Sequence, residues 1–176
     1  MGLVALSRDP ASGDQLASLQ GIMDSTEVHR DRILDARRAI LSVCMPLARD
    51  PDPRVRHASV ALVILLRDPS APSVAVAALS DPSSSVRVIA LMGVFHLQPP
   101  GCLDDVIRLV EDEDEYVRSF AVAAMERVGD ASSVAALQDA KTREPEQHVR
   151  EKIDSVVDIL EGRRPPTPIE PYLEDG

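Results

Sequence analysis

The sequence predicts an all-α fold, an α-solenoid of stacked antiparallel helix pairs. Three observations carry that prediction. Val-Arg recurs at Val55-Arg56, Val86-Arg87, Val117-Arg118 and Val149-Arg150, in steps of 31, 31 and 32 residues. An acid stands five positions before each Val, at Asp50, Asp81, Asp112 and Glu144. Aromatic residues make up only 2% of the chain and Trp is absent, so Ala, Val and Leu must do the packing. Closely stacked helices suit those side chains better than a β-sandwich does. A fixed period of this size marks stacked supersecondary units rather than one globular core.

Before the period begins, Ser12-x-x-Gln15 and Asp24-x-x-Glu27 resemble capping boxes and predict helices near 13–23 and 25–49. Pro46 should kink or shorten the second of these. Residues 1–24 are expected to form a degenerate N-terminal cap, and 25–49 the first helix of the repeat completed by 53–66. Four long helices then begin near the Val-Arg pairs. Asp52, Ser83 and Asp114, three places before Val, have side-chain oxygens suited to capping, and Pro53 suits a first helical position. Glu146 is a poor cap, so the fourth long helix should begin slightly earlier or fray. Shorter helices are expected at about 71–80, 101–111 and 131–141, the last capped by Asp130, with Asp-Pro pairs as punctuation.

Counted from each Val, offsets +4, +7, +8 and +11 fall on one helical face. They hold Ser59, Leu62, Val63 and Leu66 in the first long helix, and Ala90, Gly93, Val94 and Leu97 in the second. The third has Ala121, Ala124, Met125 and Val128; the fourth has Ile153, Val156, Val157 and Leu160. Small residues at +4 and +7 in the middle repeats should let neighbouring helices approach closely. Residues 1–161 are thus expected to form a single domain, followed by a Pro-rich extended tail over 162–176. That tail is either disordered or laid along the body through Ile169, Tyr172 and Leu173.

The four segments Asp50–Arg56, Asp81–Arg87, Asp112–Arg118 and Glu144–Arg150 resemble the HEAT-repeat family in its short form, the type also found in phycobilin lyases. The likeness covers about residues 50–160 and extends plausibly to 25–49. It implies a solenoid whose turn acid and helix Arg form a hydrogen-bonded ladder between adjacent repeats. Asp50, Asp81 and Asp112 would meet Arg56, Arg87, Arg118 and Arg150 in that ladder. A planar guanidinium can bridge a carboxylate and helix-end carbonyls, so these residues read as structural. The fold serves many tasks and does not fix one.

Enzyme motifs are not found in the sequence. None of His29, His57, His96 and His148 is followed by Glu, unlike the iron-binding His-Glu pairs of the similar deoxyhypusine hydroxylases. No His pair stands at i, i+4, and there is no phosphate loop or nucleophile elbow. No catalytic residue, metal site or cofactor is therefore expected. Cys44 and Cys102 read as buried thiols in a reducing compartment. The N-terminus lacks a signal-peptide core and no window reaches a membrane span, so a cytoplasmic protein is expected, and the Arg-rich composition hints at a bacterium.

The net charge of -10 lies entirely in residues 99–176, which hold 9 basic and 19 acidic side chains. That half disfavours nucleic acid and attracts basic protein surfaces. Offsets +2, +5, +6 and +9 should point away from the core, onto the side that the resemblance makes concave. His57, Val60, Ile64, Val88, Leu91, Met92, Phe95, Val122, Glu126, Glu151, Asp154 and Asp158 are the candidate partner-binding residues there. Such a face grades from apolar to acidic and suits a basic or amphipathic helix. The expected function is a non-enzymatic adaptor or scaffold that binds another protein or peptide. The alternatives are an immunity-type inhibitor that neutralises a basic partner with the acidic half, and a lyase-like or chaperone-like helper in cofactor attachment.

Overall fold

The computed structural model describes residues 32–168, and among them all regular structure is helical. The expected helix at 13–23, residues 25–31 of the next one, and Ile169, Tyr172 and Leu173 lie outside the described residues. The described helices are α1 (residues 32–47), α2 (Pro53–Leu65), α3 (Ala71–Ala78), α4 (Ser84–Leu97), α5 (Leu103–Leu109), α6 (Glu115–Val128), α7 (Ser133–Arg143) and α8 (Gln147–Leu160). Short and long helices alternate from α2 onward. The chain divides into two compact units, residues 1–42 and 43–176, with the boundary inside α1.

Local chemistry sets the helix ends. Asp52 accepts from the Arg54 backbone N–H at 2.8 Å, and Pro53 occupies the first helical position. Asp114 accepts from Tyr116 and Val117 N–H at 2.9 and 3.2 Å. Ser83 departs from the expectation: its hydroxyl lies 3.0 Å from that of Ser85 and caps no backbone donor. Glu146 also makes no side-chain cap, yet α8 starts at Gln147, in register with the other long helices. Two contacts replace the missing cap there: Glu144 Oε1 accepts from Glu146 N–H at 3.0 Å, and the Arg150 guanidinium binds the Glu144 and Pro145 carbonyls, both at 2.6 Å. Asp130 accepts from Ser132 and Ser133 N–H at 2.9 and 3.2 Å and so opens α7. Helix α1 ends one residue past Pro46.

Residues 43–176 form two layers. The long helices pack side by side in the order α2, α4, α6, α8, while α3, α5 and α7 lie against α4, α6 and α8 respectively. The core between the layers is aliphatic: Leu79, Val86, Val94, Val106, Val117, Met125, Leu137 and Ile153 are fully buried. Gly93 permits the closest approach. A Cβ there would stand 2.6 Å from Ile64 Cδ1 of α2 and 3.0 Å from Ala75 Cβ of α3.

The turns are tied together by a repeated set of charged hydrogen bonds. Arg56 donates through Nε and Nη2 to the two oxygens of Asp81 at 2.8 and 2.7 Å. Arg87 Nη2 donates to Asp112 at 2.7 Å. Arg118 grips Glu144 with both Nε and Nη2, at 2.7 and 2.9 Å. Each Arg also turns Nη1 back to two carbonyls of its own turn: Asp50 and Pro51, Asp81 and Pro82, Asp112 and Glu113, Glu144 and Pro145. Each acid in turn accepts the N–H two residues on, from Asp52, Ser83, Asp114 and Glu146. One carboxylate thus fixes its own turn and receives the preceding repeat's guanidinium. Bidentate, charge-assisted pairs of this kind carry both energy and geometry. Their placement in every repeat explains why the Val-Arg register is constant.

Candidate functional site

The outward surface of α2, α4, α6 and α8 is the candidate site, and its residues differ from those the sequence points to. Val60, Leu91 and Val122, all at offset +5, are 1%, 0% and 0% exposed and belong to the core. Each long helix has two buried flanks, one against the short helices and one against the next long helix, and +5 lies on the second flank. Ile64 and Val88 pack against the same core. His57 bridges to the following repeat, with Nδ1 2.9 Å from the Ser85 carbonyl oxygen when that nitrogen carries the proton. Leu62, an expected core position, is instead 39% exposed on α2.

The arc that does face outward is centred on offsets -1, +3, +6 and +10, roughly a quarter turn away at ~100° per residue. On α2 it carries Arg54, Ala58, Ala61 and Leu65; on α4, Ser85, Ile89, Met92 and His96. On α6 it carries Tyr116, Phe120, Ala123 and Arg127; on α8, His148, Lys152, Ser155 and Ile159. Leu65 and Tyr116 are 65% and 64% exposed. Met92 and Phe95 are half-buried and stand outside the core cluster. The sequence held a signal for this register. Offset +5 is apolar in the three long helices that have a long helix after them and becomes Asp154 in the last.

The electrostatics of the arc also differ from a simple gradient. Lys152 donates to Ser119 Oγ at 2.6 Å and lies 6.0 Å from the Phe120 ring centre. Burial holds its ammonium pKa below the usual lysine value. Arg127 stacks over Phe95 at 4.6 Å, and Phe95 meets His96 edge-on. Burial lowers the His96 pKa, and Arg67 and Arg127 add to that effect. The acids at the α8 end are largely engaged. Asp154 takes Lys141 at 2.5 Å, Asp158 takes Arg163 at 2.6 Å, and Glu151 accepts from Gln147 at 2.8 Å. Glu126 is held by Thr167, its N–H at 2.6 Å and its hydroxyl at 3.0 Å. The dense acidic run is similarly occupied: Glu111 pairs with Arg143, Asp112 with Arg87, and Asp114 caps α6. An apolar end is present, and several acids at the other end are engaged within the chain, while residues 99–176 keep their excess of acids over bases.

Both cysteines are buried free thiols. Cys102 precedes α5, where its Sγ lies 3.1 Å from the Pro99 carbonyl; burial raises its pKa. Among the described residues no three His, Cys, Asp or Glu side chains gather as metal ligands, and no helix is long and apolar enough to cross a membrane.

Residues 72–156 match the family described as HEAT repeats. The matched segment is similar to HEAT repeats. A search of curated proteins finds no match to the chain. Among solved structures it is similar to a chain of the complex of CpcE and CpcF of phycocyanin lyase from Nostoc sp. PCC7120. The two share 18% identity with a TM-score of 0.56, over 84% of this chain and 99% of that one. At that identity the likeness establishes the shared α-solenoid fold.

Proposed function

We propose that this protein is a non-enzymatic adaptor that binds another protein on the outward face of its long helices, chiefly over α2 and α4. The observation that carries this reading is the open apolar group there: Leu65 at 65% exposure, with Met92 standing outside the core cluster. Ala58 and Ala61 lie beside them on the same arc, while Ile89 on that arc packs in part against the core. A partner's amphipathic helix could lay its apolar side on such a surface. Charge contributes less, because the nearby acids are already paired within the chain.

The test is affinity capture with the wild-type chain against Leu65→Asp and Met92→Asp variants. Both variants should retain helical content and melting temperature, and both should lose the captured partner. Unchanged capture by both would sink the reading. A second reading, a helper in cofactor attachment, is favoured by the likeness to a chain of a phycocyanin lyase complex. It predicts a coloured or covalently modifiable ligand bound at about one equivalent, as read by absorbance after purification. The inhibitor reading would rest on the remaining acidic excess, since Glu111, Asp112, Asp154 and Asp158 are paired within the chain and Asp114 caps α6.

A further inference from the structure

After α8 the chain turns back over its own long helices. Gly162 adopts φ 73°, the left-handed conformation that glycine accepts without strain. Arg163 and Arg164 N–H then donate to the Asp158 carbonyl at 2.8 and 3.1 Å. The Arg163 guanidinium holds the Asp158 carboxylate at 2.6 Å, and Arg164 reaches Ser155 Oγ at 2.9 Å. From there the chain crosses to the C-terminal end of α6, where every polar group of Thr167 is engaged. Its N–H and hydroxyl donate to the two oxygens of Glu126 at 2.6 and 3.0 Å, and its carbonyl accepts from Arg127 Nη2.

The sequence of this segment matches the receiving site. In Pro165-Pro166-Thr167-Pro168 the only backbone N–H belongs to Thr167, and it is the one that Glu126 takes. The prolines fix φ and keep the segment extended, so little freedom is lost when it docks. The receptor side is built as well. Glu126 and Arg127 stand 3.6 Å apart as an ion pair, with side chains only 8% and 10% exposed, and the strap adds the remaining hydrogen bonds to both. Stacking on Phe95 fixes the Arg127 plane, and Arg127 Nε is buried without a hydrogen-bond partner.

We propose that the C-terminal ends of α6 and α8 form a binding site for an extended, proline-flanked threonine segment, and that residues 163–168 of this chain are its resident occupant. The site reads one residue completely, its amide, its carbonyl and its hydroxyl, and relies on the flanking prolines for shape. It borders the surface of the adaptor reading without depending on it. Failure to capture a partner leaves this site standing, and failure of the strap leaves the α2–α4 surface standing.

The test uses the full chain and a labelled peptide spanning residues 161–168. Wild-type chain should bind the peptide poorly, because its own strap holds the site. Thr167→Glu sets a carboxylate against Glu126, frees the strap, and should bind the same peptide at least about tenfold more tightly. Adding Glu126→Ala to that variant should abolish the gain. In the wild-type chain the Thr167 amide should exchange at least about tenfold more slowly than in an unstructured peptide. Equal binding by wild type and Thr167→Glu, including no binding by either, would overturn the proposal. So would a Thr167 amide that exchanges at the free-peptide rate.

Discussion

At the scale of single residues, the Arg118–Glu144 rung concentrates the most chemistry in one place. The Arg118 and Glu144 side chains are 12% and 3% exposed, and both guanidinium–carboxylate bonds are short. Burial pushes the Glu144 carboxyl up; the Arg118 hydrogen bonds, the Glu146 N–H and the charges of Arg118 and Arg150 together outweigh it, leaving the group below its ordinary value of 4.5. A carboxylate depressed in the folded state stabilises fully above its unfolded pKa. That contribution is lost as pH falls through the lower, folded value. Arg118→Gln strands Glu144 in a buried site and should cost about 2–3 kcal/mol at neutral pH. The gap should shrink as pH falls below the ordinary value of 4.5 and through the lower, folded one, where the wild type also gives up the ion pair. Urea unfolding of both chains at pH 7 and at pH 3.5 measures this. A gap of equal size at the two pH values would contradict the linkage. The recurrence of acid and Arg at fixed spacing is plain in the sequence. The double use of Asp81, Asp112 and Glu144, as turn acceptor and as partner of the preceding repeat's Arg, depends on side-chain positions that spacing does not encode.

At the scale of elements, seven helices from α2 to α8 follow the Asp-Pro punctuation and the Val-Arg period, with ends shifted by one or two residues. The face assignment is where sequence reasoning runs out. Apolar periodicity in one helix tells core from surface only when the helix has a single buried flank. Here each central long helix has two, so offset +5 is as buried as +4. Neighbouring residues in α4 separate the two registers. Leu91→Asp should abolish cooperative folding, whereas Met92→Asp should cost no more than about 1 kcal/mol. Thermal melts followed by circular dichroism decide between them, and a Leu91→Asp variant that melts like the wild type would restore the original register. Gly93 tests how closely α4 approaches its neighbours. Gly93→Val should destabilise by about 2 kcal/mol, because Ile64 and Ala75 leave no room for the branched side chain. A Val variant as stable as wild type would show that α2 can move aside. The strap was legible only as a proline-rich tail. Its anchor pairs residues 41 positions apart, Thr167 with Glu126, and no local pattern in the sequence links them.

At the scale of the whole repeat unit, residues 43–176, order is transmitted from neighbour to neighbour. In such arrays stability is approximately a sum of each repeat's own contribution and its interfaces with adjacent repeats. Helices α4 and α6 have a long helix on both sides, while α8 packs only on α6 and α7 among the described residues. The α7–α8 pair is therefore the natural first unit to open. Besides the Lys152–Ser119 and Arg143–Glu111 contacts, three ties hold it: the apolar contact of Val149, Ile153, Val156 and Val157 with the core, the Arg118–Glu144 rung, and the strap from α8 to α6. Amide exchange should be slowest in α4 and α6 and faster by a common factor across α7 and α8, the signature of a cooperative sub-global opening. Arg118→Gln removes one of the three ties. It should accelerate exchange throughout α7 and α8 by roughly thirtyfold, equivalent to about 2 kcal/mol, and leave α4 nearly unchanged. Thr167→Glu should act on the same helices in the same direction but less strongly, since the strap meets α8 only at its C-terminal end. Uniform acceleration from α2 to α8 in either variant would mean that the stack unfolds as one cooperative block, and the repeat-by-repeat account would fail.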